Sequence, residues 1–132
     1  MKYLLIILGI YGAYWYVAKH YEFHDTLAYA KSHPGASWAP SADYYVGLVY
    51  YQRGDYPNAT ESFNQLLTDY ATSQYRERAL FYNEDSAENN KNWDAARTLA
   101  QQYIEDFPNG KDIELARKRL ELINYHHGES PQ

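Results

Sequence analysis

Imidazole, carboxylate and guanidinium groups at helical spacing are the side chains in this chain that could do chemistry. His20 and His24 stand four apart, which sets both imidazoles on one helix face as metal or pigment ligands would be set. No neighbouring residues complete a coordination set, so the plainer reading is a pair of interfacial polar side chains. Glu84, Asp85 and Glu88 cluster on a second helical stretch and read as a solvated face rather than a cation site. His126-His127 are adjacent, point apart on a helix and lie where it should fray. Arg117-Lys118-Arg119 is a short basic run, solvated, and able to meet acidic lipid or protein. The absence of cysteine excludes disulfides, thiolate metal sites and cysteine nucleophiles. No nucleophile elbow, glycine-rich phosphate loop or metalloprotease signature occurs. The expectation is therefore a protein that is not an enzyme, with no cofactor and no metal.

Charge points the same way. The net charge of the 132-residue chain is −5. It is concentrated beyond residue 24, where a balance of −6 repels phosphate backbones and disfavours nucleic acid as a partner. Tyrosine is the outlier, at 16 residues. Its ring is apolar and its hydroxyl polar, a combination suited to membrane interfaces, helix-repeat cores and protein contacts.

Two kinds of element would have to position these groups. The first is the leading segment, where Tyr3 to Ala18 carries no formal charge between Lys2 and Lys19. Sixteen helical residues rise roughly 24 Å, just short of a hydrocarbon core, and snorkelling lysines with Tyr21 and Phe23 could make up the difference. The expectation is an uncleaved transmembrane anchor over 1–24. A cleaved signal is the rival, but a cut after Ala18 would put bulky Tyr16 where a small residue is wanted. Gly9, Gly12 and Ala13 would let another membrane helix approach. The lysine distribution leans towards an exported, periplasmic domain on a single-pass anchor, with a cytoplasmic one left open. Helix should continue through a 25–37 extension and linker, until Pro34-Gly35 stops it.

The second is a repeat. Gly54-Asp55-Tyr56-Pro57-Asn58-Ala59 aligns with Lys91-Asn92-Trp93-Asp94-Ala95-Ala96 at an offset of 37 residues, and Leu67-Thr68-Asp69-Tyr70 falls on Ile104-Glu105-Asp106-Phe107. Each unit reads as two helices. Ser41 should cap the first, Gly54-Asp55 should turn, and Pro57 should open the second. In the next unit helices are expected over Tyr75–Asn89 and Asp94–Phe107. A final helix, Asp112–Tyr125, carries Ile113, Ala116, Leu120 and Ile123 as a stripe, as a terminal cap would. The domain should span 38–127, with 128–132 a loose tail.

The run Gly47-Leu48-Val49-Tyr50-Tyr51-Gln52-Arg53-Gly54-Asp55-Tyr56, followed by Ala59, Phe63 and Leu67, resembles a tetratricopeptide repeat. Tyr70-Ala71-Thr72-Ser73-Gln74-Tyr75 is similar to the linker of bacterial envelope members, the outer-membrane-assembly lipoproteins and Tol–Pal accessory proteins. The second unit departs from the pattern: Glu84 replaces the packing glycine and Ala87 the tyrosine. The resemblance implies an all-α solenoid that binds peptides or proteins along the face of each unit's first helix. By position that face would comprise Tyr44, Leu48, Tyr51 and Gln52 with Arg78, Phe81, Asp85 and Glu88. Some of these tyrosines could equally seal the helix pairs.

The expected function is that of a membrane-anchored, non-catalytic scaffold. It would be an accessory subunit whose partners are other, integral-membrane subunits and the lipid bilayer. A free-standing envelope adaptor for peptides or lipoproteins is the alternative. A pigment- or metal-carrying subunit using His20 and His24 is the third reading. Because two units and a cap are few for a solenoid, the extension after the anchor is expected to pack on Tyr44–Tyr51.

Overall fold

The computed structural model describes residues 2–20 and 23–128, without the side chains of Ala18 and His20. Among these residues the chain is all-α, with α1 Lys2–His20, α2 Phe23–Ser32, α3 Ala39–Gln52, α4 Tyr56–Asp69, α5 Arg76–Asn89, α6 Trp93–Asp106 and α7 Ile113–His127. From α2 onward each helix packs on the next, and α3 also meets α5. The seams repeat at the 37-residue period. Gly54 (φ 75°) and its counterpart Lys91 (φ 61°) both turn the chain through the left-handed region. The following residues, Asp55 and Asn92, cap α4 and α6 by accepting from the amides of Asn58 and Ala95.

The bounds of α5, α6 and α7 shift by one or two residues from expectation, and the start of α3 shifts furthest. Helix α3 starts before Ser41, because Pro40 fits a first turn whose N–H groups have no helical partner. The Ser41 hydroxyl instead donates to the Trp38 carbonyl at 2.8 Å. At the other end His127 remains helical, its ring stacked on Trp93 at 3.8 Å. The helix thus runs through His126 and His127, two residues beyond the end expected at Tyr125. Residues 129–132 of the expected tail lie outside the described residues.

The core follows from small residues set against large ones. Phe63 and Leu66 of α4 are fully buried against Tyr44, Val46 and Tyr50 of α3 and Ala79 of α5. Each such side chain contributes about 1.5–3 kcal/mol by leaving water. Leu80, Tyr103 and Ala116 join α5, α6 and α7, and Ala87, Ala96 and Ile123 close the far end. Gly47 makes room for Phe63: a Cβ there would meet its ring at 2.6 Å. In the second unit the sizes are exchanged, with Glu84 at the glycine's place and Ala100, 1% exposed, at the phenylalanine's. The exchange keeps α5 packed on α6 despite the missing glycine.

Helix α2 covers the open side of α3. Leu27 and Ala30 are buried, and the Phe23 ring meets Tyr50 edge-on at 6.1 Å. Gln65 of α4 fastens the joint, its Nε2 donating to the Leu27 carbonyl and to Asp43 Oδ1, each at 3.0 Å.

The transmembrane anchor does not stand. No helix among the described residues is long and apolar enough to cross a membrane, which removes the single-pass placement expected for residues 1–24. The reason lies in α1 itself. Its uncharged stretch rises only roughly 24 Å, and Tyr3, Tyr11, Tyr14 and Tyr16 carry hydroxyls while Gly9 and Gly12 add almost no apolar surface. The role of Gly9, Gly12 and Ala13 in membrane-helix packing goes with it; a Cβ at Gly9 or Gly12 would meet nothing within 4 Å. Whether α1 runs straight into α2 turns on residues 21 and 22, which lie outside the described residues.

Two substitutions test this packing by chemical denaturation. Gly47→Val should cost about 1–3 kcal/mol, because the added side chain would overlap the ring of the fully buried Phe63. Lys91→Gly should gain up to about 1 kcal/mol by removing a side chain from the left-handed region.

Candidate functional site

The residues expected to line a recognition face sit on α3 and α5 at matching positions, and α7 repeats the register with Lys118, Leu122 and Tyr125. Most of these side chains turn out to be spent on neighbouring helices. Tyr44 is buried and stacks on Tyr75 at 4.9 Å. Leu48 is half-buried against the first core cluster. Tyr51 lies edge-on to Tyr82 at 5.0 Å and donates its hydroxyl to Asp85 Oδ2 at 2.5 Å. Burial first, and then the Asp85 carboxylate, push the Tyr51 phenol well above its ordinary range, so it stays a donor. Gln52 is exposed at the end of α3.

On α5, Arg78 pairs with Asp112 Oδ2 at 2.5 Å, donates to the Tyr82 hydroxyl at 3.3 Å and lies 5.1 Å from the centre of the Phe81 ring. Arg119 approaches the same ring at 4.9 Å. Its guanidinium also faces three carboxylates: Glu84 at 2.7 Å, Asp85 at 3.2 Å and Glu88 at 3.8 Å. Neither the acidic cluster nor Arg119 is a solvated surface, contrary to expectation. They are two halves of one joint between α5 and α7. Glu84 is 3% exposed and its Oε1 has no hydrogen-bond partner. Burial raises its carboxyl to about 8; Arg119 opposes the shift and Glu88 adds to it. One guanidinium cannot fully compensate three anions, and the most buried one gives way.

Sequence reasoning missed Arg119, Asp112, Tyr75 and Tyr82 as members of this belt. A signal was present: stepping 37 residues from Tyr82 lands on Arg119, so α7 is a third first-helix rather than an unrelated cap. On α7, Leu115, Leu122 and Tyr125 are exposed, at 40%, 47% and 83%.

His24 lies apart from this belt. One ring nitrogen is 3.0 Å from Glu61 and the other 3.0 Å from the Tyr50 hydroxyl, so both are engaged within the chain. The side chain of His20 lies outside the described residues. Among those described, no group of three or more histidine, aspartate or glutamate side chains is placed to hold a metal ion. What the belt can do is fasten helices and present a graded apolar and charged surface.

Residues 41–73 and 85–110 match the family model for the tetratricopeptide repeat. Together with the helical hairpin architecture this supports a tetratricopeptide repeat protein, and the match carries no more specific type. No curated protein matches the chain. Repeats of this kind imply protein partners and a scaffolding role.

The Glu84 carboxyl gives the joint a pH dependence of defined sign. Its folded pKa lies above its unfolded value, so its contribution is fully present near pH 4.5 and is lost as pH rises through about 8. Denaturation midpoints of the native chain should therefore fall between pH 5 and pH 9 relative to those of Glu84→Gln. Parallel profiles would show that Glu84 is ionised throughout.

Proposed function

We propose that the chain is a non-catalytic accessory subunit of a larger protein assembly, held in it by α1 and carrying the repeat stack as a protein-contact module. The observation that carries this reading is the state of α1. Its large apolar side chains from Tyr3 to Val17 are 54–78% exposed, and consecutive positions such as Leu4, Leu5, Ile6, Ile7 and Leu8 cover every face of the helix. A contiguous apolar surface of this kind marks an interaction site. A helix apolar all round suits surroundings that enclose it rather than touch one stripe. Gly9 and Ala13, one turn apart, would let a partner helix come close there.

A second surface favours further protein contact. Gln52 on α3 and Leu115, Leu122 and Tyr125 on α7 continue the first-helix register and are exposed among the described residues. Exposed aromatic and aliphatic anchors beside charge are what protein recognition uses. Capture of a peptide or a partner helix along this edge is the adaptor reading, and it is compatible with the first.

The test is isolation of the full-length chain from its native source under mild conditions, alongside an Ile6→Arg/Ile10→Arg double variant. The unaltered chain should emerge with other polypeptides in fixed stoichiometry. The variant should be free of them while keeping the same thermal transition, because α1 does not support α3–α7. A native chain recovered as a lone monomer would overturn the proposal.

A further inference from the structure

The 37-residue period allows three successive intervals between units to be compared position by position. In the first, Phe23 of α2 packs on the cluster that holds Val46 and Tyr50 of α3, its ring edge-on to Tyr50, and Leu27 of α2 is buried. In the second, the same four positions are Thr60, Asn64, Asn83 and Ala87. Every large apolar side chain has become small or polar. What remains is a recess of about 400 Å³ among α4, α5 and α6, also lined by Asp94, Ala95, Thr98 and Leu99. On α5 it lies roughly opposite Phe81, Asp85 and Glu88 by helical geometry, on the other side from the belt.

The recess is rich in acceptors. Asn83 is fully buried; its Nδ2 donates to Asn64 Oδ1 at 2.7 Å, while its own Oδ1 has no hydrogen-bond partner. A buried carbonyl left unpaired in this way is costly, and a donor that reaches it is favoured. The hydroxyls of Thr60 and Thr98 donate to the Pro57 and Asp94 carbonyls, leaving their oxygens to accept. Among the described lining residues Asp94 alone carries a charge. The chain also shows what fits such a place. In the third interval the position of Phe23 and Thr60 is Arg97, whose Nε donates at 3.0 Å to Asn124 Oδ1, at the position of Tyr50 and Ala87.

We propose that the open second interval receives an arginine side chain of a partner polypeptide. Its stem would lie along Ala87, Ala95 and Leu99, and its guanidinium would donate to the threonine oxygens and, once the Asn83 amide turns towards the recess, to Asn83 Oδ1. Arginine is the fitting side chain because its fork presents several donors at once and keeps its charge. The proposal does not depend on the role given to α1 or to the first-helix face.

The experiment is a titration of the ¹⁵N-labelled full-length chain with N-acetyl-arginine methylamide, read at the side-chain amides of Asn83 and Asn64. Saturable shifts are expected there. The neutral isostere N-acetyl-citrulline methylamide should bind at least about fivefold more weakly, having lost the charge-assisted bonds. Ala87→Tyr, which restores the residue of the first interval, should abolish the response. If that variant does not fold, Thr60→Phe at the rim makes the same test. Shifts that never saturate, equal binding of the citrulline analogue, or a response that survives the filled recess would each overturn the proposal.

Discussion

A pair of helices this short cannot bury its apolar face alone, and that shortage organises the whole molecule. Each first-helix hands its edge to the next unit through contacts of high sequence separation: Tyr51 to Asp85, Arg78 to Asp112, and Arg119 to the three carboxylates of α5. The described stack begins at α2, in the place of a second helix, and ends at α7, in the place of a first. Helix α2 supplies cover at the first of these ends. The first-helix positions that could form an open recognition face are largely used here to fasten neighbouring units to each other.

Polar groups inside the stack follow from that economy of cover. Gln65 ties α2, α3 and α4 through one amide, and Tyr103 joins α5 to the start of α7 by donating to Glu77 and accepting from the Asp112 amide. A buried cluster such as Arg119 with Asp85, Glu88 and a Glu84 carboxyl whose ionisation burial opposes is weak evidence for stability, since desolvation offsets the attraction. Removing one partner would leave the other buried and uncompensated, so the pair fixes register between α5 and α7. Exchanging Gly47 and Phe63 for Glu84 and Ala100 shows how the second unit accepts a carboxylate where the first accepts no side chain at all.

The repeat and its boundaries were legible because they rest on local chemistry. Gly54 and Lys91 mark one turn and Pro57 one helix start, each readable from a residue and its spacing. The belt was not legible, because a charge cluster has the same appearance in sequence whether it meets water or a guanidinium 31 to 35 residues away. Glu84 and Arg119 look solvated until α7 is recognised as a third first-helix. The leading segment failed for a different reason. Its runs of leucine and isoleucine are apolar, but its tyrosines and glycines dilute them below what a spanning helix needs. The open recess at Asn83 was invisible without comparing intervals, since it is defined by what the equivalent residues of the first interval fill.

Interlocking across units is the claim on which the rest stands, and native-state hydrogen exchange measures it directly. The buried amides of α3, α5 and α7 should report one common opening free energy, as expected of a stack that opens together. Amides of α7 exchanging through a separate, much lower opening than those of α3 would contradict the account, because Arg119 and Asp112 would then not be holding the last helix to the others.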